Sequence, residues 1–125
     1  MGGMPSVLRH HFVMREGIPD QYKTLKNPLV ANDKTLAKGK QLYQDNCAAC
    51  HGVTGAGNGE AGEALTPRPA DLRHLMRMSW MASDGYLFWT IAEGGKPIGS
   101  DMPAFKETLG DDGIWNVVLY LRGEI

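Results

Sequence analysis

The chain has 125 residues and a formal charge of −1, which allows one domain with a modest core. Near-neutral charge gives no electrostatic reason to expect nucleic acid or an anionic membrane as partner. No apolar run approaches the roughly 20 residues of a membrane span, and the start, Met1-Gly2-Gly3-Met4-Pro5, lacks the charged-then-apolar layout of a secretory leader.

Residues 1–32 read as an N-terminal extension without a strong period. Gly17, Pro19, Asn27 and Pro28 punctuate it, and prolines disfavour helix in the residues before them. Val7, Leu8, Phe12, Val13, Ile18, Tyr22, Leu25, Leu29 and Val30 are too many apolar residues for a disordered tail. The expectation is an irregular strap packed on the surface of a domain at 33–125. His10 and His11 have no acidic or sulfur neighbours that would complete a metal site, so they read as a solvated pair.

A helix is predicted from Lys34 to Asn46, with Asp33 as its N-cap. Leu36, Gly39, Tyr43 and Cys47 recur at three- and four-residue steps and form one stripe. Gly39 costs helix propensity, so its place in the stripe points to close approach by another helix. The stripe runs into Cys47-Ala48-Ala49-Cys50-His51, which holds the chain's two cysteines. Two cysteines three apart and followed by histidine are the signature of covalent c-type haem attachment. The spacing puts both sulfurs on one face of a helical turn, placed for thioethers to two vinyl groups, and sets His51 beneath the iron. Two other readings of the cysteines stand beside it. A thioredoxin-like pair needs a βαβ setting, and no strand-rich flank is present. A zinc site using His51 or His74 lacks a second cluster of ligands.

Gly52 to Gly62 is a glycine-rich loop without the Gly-Lys-Ser/Thr ending of a P-loop, and Glu60 replaces the third glycine of G-x-G-x-x-G. Backbone flexibility around one face of a haem accounts for it better than phosphate binding. Pro67 and Pro69 follow, with Asp71 at a helix start. A backbone carbonyl near these prolines is expected to accept the second ring N–H of His51. Arg68, Arg73 and Trp80 are candidates to bond the haem propionates. Met76, Met78 and Met81 read as packing rather than a copper(I) site.

A further helix is predicted over 84–93, capped by Ser83 and stopped by Gly94-Gly95. Met102 then sits in a loop before Pro103, held extended, where its thioether is a candidate iron ligand opposite His51. The last helix is predicted over 111–122 with an Asp cap. Its apolar face is too wide for a single neighbour, and Val117 and Tyr120 are expected to pack on Gly39 and Tyr43.

From Asp33 to Ile125 the chain resembles the class I cytochromes c of bacterial type. The resemblance rests on Gly39 and Tyr43, Cys47-Ala-Ala-Cys-His-Gly52, Met102-Pro103 with Phe105, Trp115, and the Tyr120-Leu121-Arg122 ending. It implies an all-α small cytochrome c fold with crossed N- and C-terminal helices enclosing one covalently bound haem c. Cys47 and Cys50 would carry the haem, with His51 as proximal and Met102 as distal ligand.

The implied function is electron transfer, not catalysis. The chain would shuttle single electrons, through transient contacts, between redox-protein donors and acceptors such as a quinol-oxidising complex, a terminal oxidase or a dehydrogenase. The alternatives are an electron-accepting haem subunit of a dehydrogenase or oxidase complex, a haem-based sensor or a weak peroxidase. His74 in place of Met102 is the related alternative for ligation. Thioether attachment generally takes place outside the cytoplasm. A periplasmic or otherwise extracytoplasmic location is therefore expected, with a signal or anchor absent from the chain as given.

Overall fold

The computed structural model describes the backbone of residues 5–78 and 82–125, and side chains from residue 8 onward within those ranges. Val7 in the extension's apolar set, Trp80 among the propionate candidates and Met81 in the methionine cluster lie outside the described side chains. Among the described residues the fold is all-helical. The helices are α1 (Pro5–Glu16), α2 (Asp20–Lys23), α3 (Asp33–Asn46), α4 (Ala48–His51), α5 (Leu72–Leu75), α6 (Asp84–Glu93) and α7 (Lys106–Glu124). Short 3₁₀ turns occupy Glu60–Ala64 and Lys96–Ile98. No helix among these residues is long and apolar enough to cross a membrane.

The start of α3 is set by Asn32 and not by Asp33. The Asn32 side chain accepts from the Thr35 N–H at 2.9 Å, and the Asn32 N–H donates to Thr35 Oγ1 at 2.9 Å. This is a reciprocal capping box. Thr35 completes it where Glu or Gln is the usual sequence cue. Asp33 falls in the first turn, where its charge favours the helix dipole.

α3 packs most extensively on α7. The contact depends on Gly39, where an added Cβ would collide with the Asn116 carbonyl and lie 2.8 Å from Tyr120 Cβ. One turn later Tyr43 meets Tyr120, with ring centroids 5.3 Å apart. α7 also packs on α6, with Phe88 and Trp115 rings 4.5 Å apart. Two neighbours explain why Ile114, Trp115, Val117, Val118, Tyr120 and Leu121 are all buried.

α7 begins at Lys106, five residues before the predicted start, and is interrupted at Gly110 with φ 68° and ψ 173°. A side chain there would be strained in this left-handed region. The glycine therefore joins a short leading segment to the long helix at a kink, which helical periodicity does not reveal.

The extension departs furthest from expectation, since α1 and α2 replace an irregular strap. Pro5 stands at the first position of α1, where its missing N–H costs nothing. The helix ends at Gly17, whose N–H donates to the Val13 carbonyl at 2.8 Å. The period was hidden because Arg9 occupies a core-facing position in line with Phe12 and Val13, and Arg9 is itself buried.

Several contacts tie the extension down. Phe12 stacks on Trp89 at 5.7 Å, and Tyr22 is buried against Phe88 at 6.0 Å. The Asn27 N–H donates to Asp84 Oδ2 at 2.8 Å, and its side-chain amide donates to the Trp115 carbonyl at 3.1 Å. Asp84 also pairs with Arg122. Val30 and Leu8, by contrast, remain exposed.

Burial alone would raise the Asp84 carboxyl. The Asn27 N–H and the Arg122 guanidinium outweigh burial and hold it below the usual carboxylate range. A carboxyl depressed by folding stabilises the fold above its unfolded titration range, and that contribution is lost as pH falls through the folded value. Asp84→Asn should therefore lower the urea midpoint at pH 7, and the two proteins should converge at acid pH below the Asp84 titration. Gly39→Ala should cost about 1–3 kcal/mol by overpacking, read as a lower denaturation midpoint with an unchanged slope.

Candidate functional site

The cysteine motif is an immediate continuation of α3. The Cys47 N–H donates to the Tyr43 carbonyl at 2.8 Å, and the His51 N–H donates to the Cys47 carbonyl at 2.9 Å. Cys47, Cys50 and His51 thus share one turn of helix. Tyr43 supports that turn from below, because its buried hydroxyl donates to the Gly52 carbonyl at 2.6 Å. Burial pushes the Tyr43 hydroxyl well above its ordinary range, so it remains a donor.

The glycine-rich loop wraps the same turn. The Gly57 and Gly59 N–H groups donate to the carbonyls of His51 at 2.7 Å and Cys50 at 3.0 Å. A Cβ on Gly59 would collide with the Ala49 carbonyl. The glycines therefore allow the loop to approach and satisfy the motif's backbone, a more specific role than general flexibility.

No disulfide joins the two cysteines. Burial, and then the neighbouring Cys50, pushes Cys47 up to about 12. Reactive cysteines of redox pairs have lowered values in electropositive surroundings, so this environment does not suit a thioredoxin-like exchange. Among the described residues no three His, Cys, Asp or Glu side chains gather where a metal would need them. The zinc reading therefore lacks its donor set.

His51 Nδ1 donates to the Ala70 carbonyl at 3.0 Å. This is the backbone acceptor expected near Pro67 and Pro69. Burial lowers the imidazole's proton affinity, against the opposing effect of the Ala70 hydrogen bond. A neutral ring with Nδ1–H engaged leaves Nε2 as its electron-pair donor.

These side chains open on a cleft of about 1100 Å³ of empty space, including the solvent at its mouth. Cys47, Cys50 and His51 line it together with Met102, Pro103 and Phe105. Leu75, Leu87, Ile91, Val117 and Leu121 complete an apolar lining. The Met102 segment is pinned by its backbone, since the Gly95 N–H donates to the Met102 carbonyl at 2.9 Å and the Phe105 N–H to the Ile91 carbonyl at 3.0 Å.

His74 is exposed and does not line this cleft. Arg68 lines it but is exposed, whereas Arg73 lies outside it, paired with Asp71 at 3.1 Å. His10 and His11 also lie outside the lining, with their rings 5.9 Å apart.

Sequence reading did not single out Arg9 and Thr90, which are among the polar residues of the lining. Arg9 Nη1 and Thr90 Oγ1 are buried and have no hydrogen-bond partner among the described residues. The available signal was a charged residue standing on an apolar helix face. A mainly apolar slot lined by Cys47, Cys50, His51 and Met102, with unsatisfied buried polar atoms, fits a flat apolar group that carries anionic substituents. Haem has those features.

Residues 34–121 match the family described as cytochrome c oxidase, cbb3-type, subunit III. The cbb3-type cytochrome c oxidase subunit FixP of Rhizobium meliloti (strain 1021) is 33% identical over 87 residues, covering 70% of this chain and 27% of the relative. Subunit CcoP of Azospirillum sp. (strain B510) is 32% identical over 98 residues, covering 77% of this chain and 31% of the relative. The chain thus spans less than a third of the length of either relative. Among solved structures, the Kuenenia stuttgartiensis reducing HAO-like protein complex Kustc0457/Kustc0458 is similar with a TM-score of 0.61 at 23% identity, over 78% of this chain and 47% of that one. Cytochrome CL from Methylophaga aminisulfidivorans is similar with a TM-score of 0.56 at 20% identity, over 98% of this chain and 70% of that one. At these identities the two structures speak to the fold.

Tyr43→Phe should leave the Gly52 carbonyl buried without its donor and cost about 1–3 kcal/mol, measured by denaturant unfolding.

Proposed function

The chain belongs to the family of cytochrome c domains described as cytochrome c oxidase, cbb3-type, subunit III, and from that premise we propose that it carries single electrons on one haem c with His51 and Met102 as axial ligands. A cytochrome c domain implies haem c and an electron-transfer role. The observation that carries the finer reading is the convergence of Cys47, Cys50, His51 and Met102 on one apolar cleft.

In this reading Cys47 and Cys50 hold the group through two thioether bonds. His51 binds the iron through Nε2 while Ala70 fixes its ring. Met102 supplies a thioether from a segment anchored at Gly95. The iron supplies a ferric/ferrous couple, and a histidine–methionine ligand pair raises its potential. The apolar lining excludes water, which favours the less charged ferrous state. With His51 and Met102 both holding the iron, the chain would have no need of a catalytic side chain. Its partners are redox proteins met through small, brief contacts, in the periplasm or another extracytoplasmic space.

A second reading is a haem domain working within an oxidase complex. It is favoured by the relatives, which are named as cbb3-type oxidase subunits. Copurification of an oxidase with the native protein would select this reading over a free carrier.

Met102→Ala should leave the haem covalently attached, lower the reduction potential and abolish the weak long-wavelength sulfur-to-ferric-iron band. An unchanged potential and spectrum would exclude Met102 as a ligand. Carbon monoxide should bind the reduced variant readily and the unaltered protein poorly.

A further inference from the structure

Arg9 belongs to α1, in the extension that precedes the matched domain, yet its side chain reaches the cleft. It is 6% exposed. Its Nη2 donates to the Gly94 carbonyl at 3.0 Å, and the guanidinium carbon lies 4.9 Å from the centre of the Trp89 ring. These contacts satisfy one N–H and place the cation over an aromatic face. They supply no negative charge, and no carboxylate pairs with Arg9 among the described residues.

Burying a guanidinium without a counter-ion is among the costlier arrangements available to a fold. Desolvation lowers its proton affinity accordingly. Nη1 remains without an acceptor, and Thr90 Oγ1, also buried in the lining, remains without a partner. Two unsatisfied polar atoms in a cleft lined mainly by apolar side chains call for an anionic acceptor carried on an apolar body. A planar guanidinium suits a carboxylate better than an ammonium does, because it can donate two parallel hydrogen bonds.

We propose that Arg9 and Thr90 bind a propionate of the haem, so that the N-terminal extension is part of the haem site. The assignment rests on the haem reading above. It gives Arg9 the role sought in Arg68 and Arg73, both of which are exposed. It also gives the extension a purpose. α1 lies on Trp89 of α6, and a carboxylate supplied from within the cleft would join the two through Arg9. The guanidinium would in turn offset propionate charge that otherwise stabilises ferric iron.

The test compares Arg9→Met and Arg9→Lys with the unaltered holoprotein by redox titration and by the propionate-bending bands of the resonance Raman spectrum. Arg9→Met should shift the ferric/ferrous equilibrium several-fold to about tenfold toward ferric, the latter a fall of about 59 mV, and should move a propionate band. Arg9→Lys, which keeps the charge, should restore most of the potential.

If the Arg9→Met holoprotein retains its covalent haem but its potential and propionate bands are unchanged, the proposal is overturned while the haem reading stands. Absence of covalent haem from the unaltered protein overturns both. Should Arg9→Met fail to accumulate, unaltered holoprotein labelled with ¹⁵N-arginine decides the matter. One slowly exchanging guanidinium whose resonances shift between the ferric and ferrous states, and which is lost in Arg9→Lys, supports the assignment. Guanidinium groups that all exchange rapidly and are indifferent to oxidation state overturn it.

Discussion

The close approach of α3 and α7 at Gly39 is the constraint on which the rest of the structure depends. With no Cβ at that position, the Asn116 carbonyl and the base of Tyr120 lie against the α3 backbone. The next turn of α3 is thereby committed to place Tyr43 beneath the cysteine motif. The motif continues α3 without a flexible joint, so the orientation of Cys47, Cys50 and His51 follows from the packing of two helices. Backbone donors from the glycine-rich loop then hold the turn from its other side.

The site divides its polar requirements sharply. Around the motif turn, polar groups are met from within the chain, by the Tyr43–Gly52 and His51–Ala70 hydrogen bonds and by backbone donors of the glycine-rich loop. The cleft itself is bordered by aliphatic side chains from α5, α6 and α7. Such an arrangement favours a neutral imidazole and a dry interior. It suits a centre that changes charge by one unit and relies on fixed surroundings to limit the reorganisation that accompanies the change. Arg9 is the exception, a buried charge that meets the Gly94 carbonyl and an aromatic face but no carboxylate among the described residues.

The extension is integrated through chemistry that has no periodic signature. Asn27 binds the start of α6 and the middle of α7 at once, Tyr22 is buried, and Phe12 lies on Trp89. Each is a single long-range contact between residues far apart in the chain. A reader of the sequence sees only scattered apolar residues among prolines and glycines. The α1 helix has no continuous apolar stripe because one core-facing position carries Arg9.

Several features were legible in the sequence because their causes are local. The Cys47–His51 spacing, the α3 stripe, the Ser83 cap of α6 and the Gly94 stop depend on residues within a few positions of one another. Even the partner of His51 could be placed to within a few residues, since proline-rich backbone has carbonyls to spare. Tertiary structure decided which carbonyl it is, where α7 kinks, how α1 lies on α6, and that Arg9 shares a cleft with Met102. Those outcomes depend on distances between segments remote in sequence. Burial and unpaired charge acquire their energetic meaning only when those segments are brought together.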